Sequence, residues 1–153
     1  MKETDHRAAI AADEKKGSLA LVPLVGVYLF CLLITFSHLG EPFPFMGELY
    51  PGESSEKFAF LDCILILYLM VGILKRQTLT LWLLIGYNVV KSFSEIANLL
   101  LLPVQQTVTA AGTLVPDYHY RLNAFCMAVV FLLLNVFLYI NRRHFDNKSV
   151  YLW

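Results

Sequence analysis

The chain has 153 residues, of which 58% are hydrophobic, and its 12 basic and 12 acidic residues give a formal net charge of zero. This hydrophobic share exceeds that of ordinary soluble domains, and the hydrophobic residues occur in long blocks. The composition therefore indicates an integral membrane protein. It gives no support to nucleic-acid binding, because the positive charges are balanced and membrane topology explains their positions.

Four hydrophobic segments are long enough, or nearly so, to cross a bilayer core about 30 Å thick as helices of about 20 residues. They cover residues 18–38, 58–74, 79–102 and 122–140. The first segment is too long for the apolar region of a signal peptide and is read as an uncleaved anchor, with Pro23 in its first turn and Gly26 at a close helix crossing. The prediction is an all-α membrane protein with a four-transmembrane-helix bundle at 18–140, an N-terminal arm at 1–17 and a C-terminal tail at 141–153.

The positions of the basic residues predict the orientation. If all four segments cross, nine cations share one side of the membrane: Lys2, Arg7, Lys15, Lys16, Lys75, Arg76, Arg142, Arg143 and Lys148. The opposite loops contain only Lys57 and Arg121. Because cytoplasmic loops are enriched in Lys and Arg, both termini are expected in the cytoplasm. A third segment that failed to cross would place the basic tail outside, against the same rule.

The third segment carries polar side chains that form one stripe on a helix. Lys91 and Glu95 near its centre cost about 6 kcal/mol to insert, so this helix is expected to depend on its neighbours. The polar stripe comprises Asn88, Lys91, Ser94, Glu95 and Asn98, and it should face protein or water. Asp62 of the second segment lies at the same depth as Asn98, so the sequence predicts a cluster of Asp62, Lys91, Glu95 and Asn98, flanked by Asn88 and Ser94.

This cluster has two interpretations. In the first, it is a buried ion pair with amides that locks helix two against helix three. In the second, two carboxylates and one lysine under an outward-facing mouth form a proton or solute site. Lys91 precedes Glu95 by four residues, which is the less favourable order for an ion pair along a helix. We therefore hypothesise that Lys91 reaches Asp62 instead.

The remaining motifs favour a protein that is not an enzyme. The three cysteines, Cys31, Cys63 and Cys126, include no CxxC pair; Cys63 and Cys126 lie at similar depth, so a bridge between them is geometrically possible. No nucleophile with a base, no nucleotide loop and no metal-ligand spacing is present, and neither a cofactor nor a metal is expected.

The opening GSLALVPLVGV, residues 17–27, resembles the start of the domain-of-unknown-function 2569 family, which typically begins Gly-Gly-Trp, then leucines, a proline, two residues and a glycine. Gly17, Pro23 and Gly26 stand at the matching places, and the basic turn after helix two and the basic tail are similar in layout. The resemblance implies a multi-pass protein of the bacterial inner membrane with unknown activity. It assigns no catalytic residue.

Two functions remain open. The chain either binds a membrane-protein partner or a second copy of itself, in the bilayer or through its Glu-rich outer loop, or it is a small carrier or proton-coupled permease that uses Asp62, Lys91 and Glu95.

Overall fold

The computed structural model describes residues 2–108, 114–117 and 119–149. It contains four α-helices: α1 (Lys2–Ser37), α2 (Glu53–Leu74), α3 (Thr78–Leu101) and α4 (His119–Ile140). A short 3₁₀ helix, Arg142–His144, follows α4. The predicted helical architecture is therefore confirmed, and each predicted hydrophobic segment lies largely within one helix.

Three of these helices are long and apolar enough to cross a membrane, through the stretches Leu19–Ser37, Glu53–Leu74 and Tyr120–Ile140. The chain is thus compatible with a membrane-embedded protein. Helix α3 has 24 residues, which is sufficient length, but the polar stripe lowers its hydropathy.

Helix α1 differs from the prediction at its start. It begins at Lys2, so the segment 1–17, predicted as an N-terminal arm, is helical from its second residue and continuous with the first hydrophobic segment. Pro23 consequently lies inside the helix and not in its first turn. Gly26 does not mark a close crossing, because a methyl group built on it would meet no atom within 4 Å.

Two β-hairpins, which the all-α prediction does not include, connect the helices. Strands β1 (Phe43–Phe45) and β2 (Glu48–Tyr50) pair antiparallel between α1 and α2. Their two-residue turn, Met46-Gly47, has positive φ at both residues, the backbone signature of a type I′ turn. Strands β3 (Gln105–Val108) and β4 (Leu114–Asp117) pair antiparallel between α3 and α4. In strands of three or four residues, the alternation of apolar and polar side chains is too short to predict a strand from the sequence.

The two ends of the bundle are distinct. At the tail end, residues after α4 pack on the α2–α3 turn: the Thr78 N–H donates to the Asn147 carbonyl at 2.8 Å, and the Asn147 N–H donates to the Arg76 carbonyl at 3.1 Å. Arg76 also pairs with Asp146 at 2.6 Å, and the Phe145 side chain is buried. The β1–β2 hairpin defines the opposite hairpin end, where it contacts α2 and α3.

Side chains of all four helices form the core, which includes Leu24, Tyr28, Ile66, Leu69, Leu84, Phe131 and Leu138. The opposite faces of the helices expose large apolar side chains. On α3 these run from Leu79 to Leu101, while Asn88, Ser94 and Asn98 are buried. The polar stripe therefore faces the protein interior, as the sequence predicts.

Candidate functional site

An ion pair joins α2 to α3 in the hairpin-end half of the bundle. Lys91 Nζ lies 2.8 Å from Asp62 Oδ2, so Lys91 reaches Asp62 as hypothesised. The two side chains are 17% and 10% exposed. The pair is therefore only part-buried, and the prediction of a buried ion pair is not confirmed. The residual exposure has a clear cause, because both side chains line a cavity.

Neighbouring groups complete the environment of this pair. The Tyr87 hydroxyl donates to Asp62 Oδ1 at 3.1 Å, and the Thr35 hydroxyl donates to Asp62 Oδ2 at 3.4 Å. Lys91 Nζ also lies 5.6 Å from the Phe43 ring centroid and 5.7 Å from that of Tyr87, within the range of cation–π attraction. The ammonium and the carboxylate thus neutralise each other, and α1, β1, α2 and α3 all contribute a contact.

Glu95 lies one turn further along α3 and lacks such a partner. Among the residues that the structure describes, no cationic nitrogen lies within 4 Å of its carboxylate. The side chain is half-buried and lines the same cavity as Lys91 and Asp62. Glu95 therefore adds one negative charge to a site whose other internal charges cancel.

The cavity has a volume of about 560 Å³ and lies between the four helices beneath the β1–β2 hairpin. This volume is within the range of small-molecule sites. Its aromatic walls are Phe43, Phe45, Tyr87, Tyr120 and Phe131, and its polar lining includes Thr35, Asp62, Lys91, Ser94, Glu95 and Asn123. At the hairpin end it extends to His38 and Glu41, whose side chains are 59% and 67% exposed. A solute arriving from that end would meet these two residues first.

Ser94 and Asn98 have a different role from the one predicted. The Met46 N–H donates to Ser94 Oγ at 3.1 Å, and the Gly47 N–H donates to Asn98 Oδ1 at 2.8 Å. These two side chains therefore anchor the hairpin turn to α3 and satisfy backbone donors that would otherwise be buried without partners. On the other side, Phe58 of α2 stacks with Phe43 and Phe45 of β1 and makes a tilted ring contact with Tyr50 of β2.

Asn88 belongs to a separate contact closer to the tail end. Its side-chain oxygen accepts a hydrogen bond from the Tyr28 hydroxyl at 2.6 Å, and its amide donates to Asn135 Oδ1 at 3.2 Å. Asn88 and Tyr28 are fully buried. This relay ties α1, α3 and α4 together. The predicted cluster thus divides into an interhelical tie, an ion pair beside a carboxylate, and a hairpin anchor.

Several residues of the site were not predicted. Tyr87 lies four residues before Lys91, so extending the polar stripe by one turn would have included it. Thr35, Tyr120 and Asn123 lie on other helices without any spacing that marks them. Their contribution depends on how α1 and α4 pack, which the periodicity of α3 does not specify.

The bridge that the sequence allows between Cys63 and Cys126 is not formed. Cys31, Cys63 and Cys126 are free thiols, and Cys126 is exposed while Cys63 is buried, so these two are not bridged. In the part of the chain that the structure describes, no three His, Cys, Asp or Glu side chains converge on a point that could hold a metal ion.

The chain matches no protein-family model, no curated protein and no solved structure. The resemblance to the domain-of-unknown-function 2569 family therefore stays a prediction.

Proposed function

We propose that the chain is a multi-pass membrane protein in which all four helices cross the bilayer and the cavity binds a small solute from the hairpin end. The observation that carries this proposal is the 560 Å³ cavity, which places an ion pair and an additional carboxylate beneath the hairpin. A helix surface that contacts only lipid needs no charged side chains. Charged residues within membrane helices instead commonly mark solute or ion pathways.

The arrangement of α3 supports a fourth crossing. Its 24 residues extend about 36 Å, which exceeds the thickness of the hydrocarbon core. Its exposed side chains are apolar along this length, including Trp82, Phe93 and Leu100, while the stripe faces inward. Helix α3 starts at the tail end, beside the residues that follow α4, and finishes under the hairpin. It therefore covers the same depth as its neighbours.

The distribution of charge supports an orientation with the tail end in the cytoplasm. Five cations lie at or beside this end: Lys75, Arg76, Arg142, Arg143 and Lys148. By the positive-inside rule this places the hairpin on the outer side, and with the family resemblance it favours the bacterial inner membrane.

A labelling experiment tests the topology. In a variant with all three native cysteines replaced by serine, Glu41→Cys and Lys148→Cys are each exposed to a membrane-impermeant maleimide in intact cells. We expect labelling at position 41 only, with position 148 labelled after permeabilisation. Labelling of both positions in intact cells would contradict a crossing by α3, because it would place hairpin and tail on one side.

A second experiment tests whether the cavity is open to solutes. Cys31 lines the cavity, whereas Cys63 is equally buried on α2 but does not line it. Variants that keep only one of these thiols form a matched pair. A small neutral thiosulfonate should modify Cys31 in the folded protein much faster than Cys63. Equal, slow modification of both would show that no solute reaches the cavity and would refute the proposal.

Binding of a membrane partner stays a prediction. The hairpin turn is engaged by α3 of the same chain, but Glu48, Glu53 and Glu56 remain exposed at this end. The contacts of the hairpin therefore leave an acidic surface free for such a partner.

A further inference from the structure

We infer that the cavity selects a monovalent organic cation, an amine or quaternary ammonium on a small apolar body, with Glu95 as its counter-ion. This inference rests on the proposed solute-binding function and specifies the class of solute.

The charges that line the cavity give the first reason. Lys91 is paired with Asp62 at 2.8 Å, and the Tyr87 hydroxyl donates to the same carboxylate. An incoming anion would therefore have to compete with Asp62 for Lys91, the one ammonium group among the described residues of the lining. Glu95 has no cation within 4 Å among the described residues. Glu41, near the mouth, adds a second negative charge, 3.9 Å from the His38 imidazole.

The position of Glu95 gives the second reason. An ionised carboxylate that is removed from bulk water is costly unless a cation or several donors accompany it. Lys91 acts on Glu95 from beyond ion-pair distance, so a cationic solute beside Glu95 would supply a closer partner, and its binding free energy would include relief of the remaining cost. The single carboxylate of Glu95 is neutralised by a solute with one positive charge. In the described residues, no three acidic or other ligating side chains converge to hold a bare metal ion.

The walls of the cavity give the third reason. Phe45, Tyr120 and Phe131 line it with aromatic rings, and the faces of such rings attract ammonium groups. Ile34, Ile66 and Met127 provide apolar surface for the rest of the solute. A hydrated inorganic ion would gain nothing from these walls, whereas an alkylated amine matches both the charge and the apolar lining.

The test uses the variant that keeps Cys31 as its only cysteine. Its modification rate is measured in detergent with three thiosulfonates of similar size: one with an ammonium group, one with a sulfonate group and one that is neutral. Each rate is divided by the rate of the same reagent with a small free thiol. We expect the cationic reagent to react about 10-fold or more faster than the anionic one, because a cleft of one charge sign concentrates ions of the opposite sign.

Two substitutions identify the source of the selectivity. Glu95→Gln should remove most of the preference. Glu53→Gln removes the same charge from an exposed residue outside the cavity and should leave the preference unchanged. If Glu95→Gln does not fold, Glu95→Asp keeps the charge and should keep the preference, and choline should protect Cys31 better than its uncharged isostere 3,3-dimethylbutanol.

The possible results separate the two proposals. Fast reaction with all three reagents at equal rates would show an open cavity without charge selectivity, which overturns the cation inference and leaves solute binding intact. Faster reaction with the sulfonate reagent would assign the selectivity to Lys91 and overturn the inference as well. No reaction with any reagent would refute solute access and the inference together.

Discussion

Replacing Lys91 by methionine should destabilise the protein more than any other neutralising change in the cavity. The substitution keeps an unbranched side chain, one atom shorter, but leaves the Asp62 carboxylate, which is only 10% exposed, with hydroxyl donors from Thr35 and Tyr87. Breaking a fully buried pair costs about 3 to 5 kcal/mol. Breaking an exposed pair costs about 1 kcal/mol or less. Because this pair is mostly buried but borders a cavity, we expect a loss of about 2 to 4 kcal/mol in the free energy of unfolding.

The converse substitution, Asp62→Asn, should cost less. Asparagine still offers an oxygen to Tyr87, and Lys91 keeps its two aromatic neighbours and the nearby charge of Glu95. Cation–π contacts contribute about 1 kcal/mol each at such sites, so the orphaned ammonium is better accommodated than the orphaned carboxylate. The double variant Asp62→Asn with Lys91→Met removes both charges, and it should return to within about 1 kcal/mol of the native protein.

The measurement is an SDS titration of the purified protein in mixed micelles, followed by tryptophan fluorescence, for the native chain, both single variants and the double variant. Lys57→Met serves as the control, because Lys57 pairs with Glu53 on the surface and should give no measurable change. The expected signature is a double variant more stable than Lys91→Met alone. If the losses of the two single variants add in the double variant, the two charges are not energetically coupled, and the 2.8 Å contact does not stabilise the fold.

Five further substitutions test the packing, each measured as a change in the free energy of unfolding by the same titration. Gly47→Ala should destabilise by about 1 to 3 kcal/mol, because φ is +84° and the new methyl would lie 2.6 Å from a leucine side chain of α3. Gly72→Ala should cost at least as much, since its methyl would overlap a threonine side chain of α3. Gly26→Ala is their matched control and should be neutral or stabilising by up to about 1 kcal/mol, so a loss there would contradict the packing. Tyr28→Phe should cost about 1 to 2 kcal/mol by removing the hydroxyl that Asn88 accepts; no loss would exclude the relay as a stabilising contact. Phe145→Ala should cost about 3 kcal/mol if the segment after α4 is part of the folded core, and no loss would show that it is not.

The helices and the inward direction of the polar stripe could be predicted because both depend on local patterns. Long apolar blocks define helices whatever their neighbours are, and offsets of three and four residues place polar side chains on one face. Matching depths on antiparallel helices then brought Asp62 near the stripe. This reasoning left both Asp62 and Glu95 within reach of Lys91, and the 2.8 Å contact with Asp62 agrees with the hypothesis that favoured Asp62.

The division of the stripe among three roles could not be predicted from spacing. Ser94 and Asn98 point the same way as Lys91, but their partners are backbone N–H groups of a hairpin that no periodicity reveals. Asn88 takes its partners, Tyr28 and Asn135, from helices whose rotation is determined by packing. Polar residues on one face of a helix share a direction, and the segments packed against that face determine what each of them contacts.

The β1–β2 hairpin explains part of the polar stripe on α3. Backbone that is not helical can lie near membrane depth only where protein satisfies its hydrogen bonds. Ser94 and Asn98 meet this requirement for the turn, Asn88 ties three helices, and Lys91 neutralises Asp62. Each of these four residues has a contact that offsets the cost of removing its polar side chain from water. Glu95 is the charged member of the stripe for which the described residues supply no counter-ion within 4 Å, and it faces the cavity. The fold brings Lys91 near Glu95 but not within ion-pair distance, and a cation bound in the cavity, as we propose, would be the closer partner.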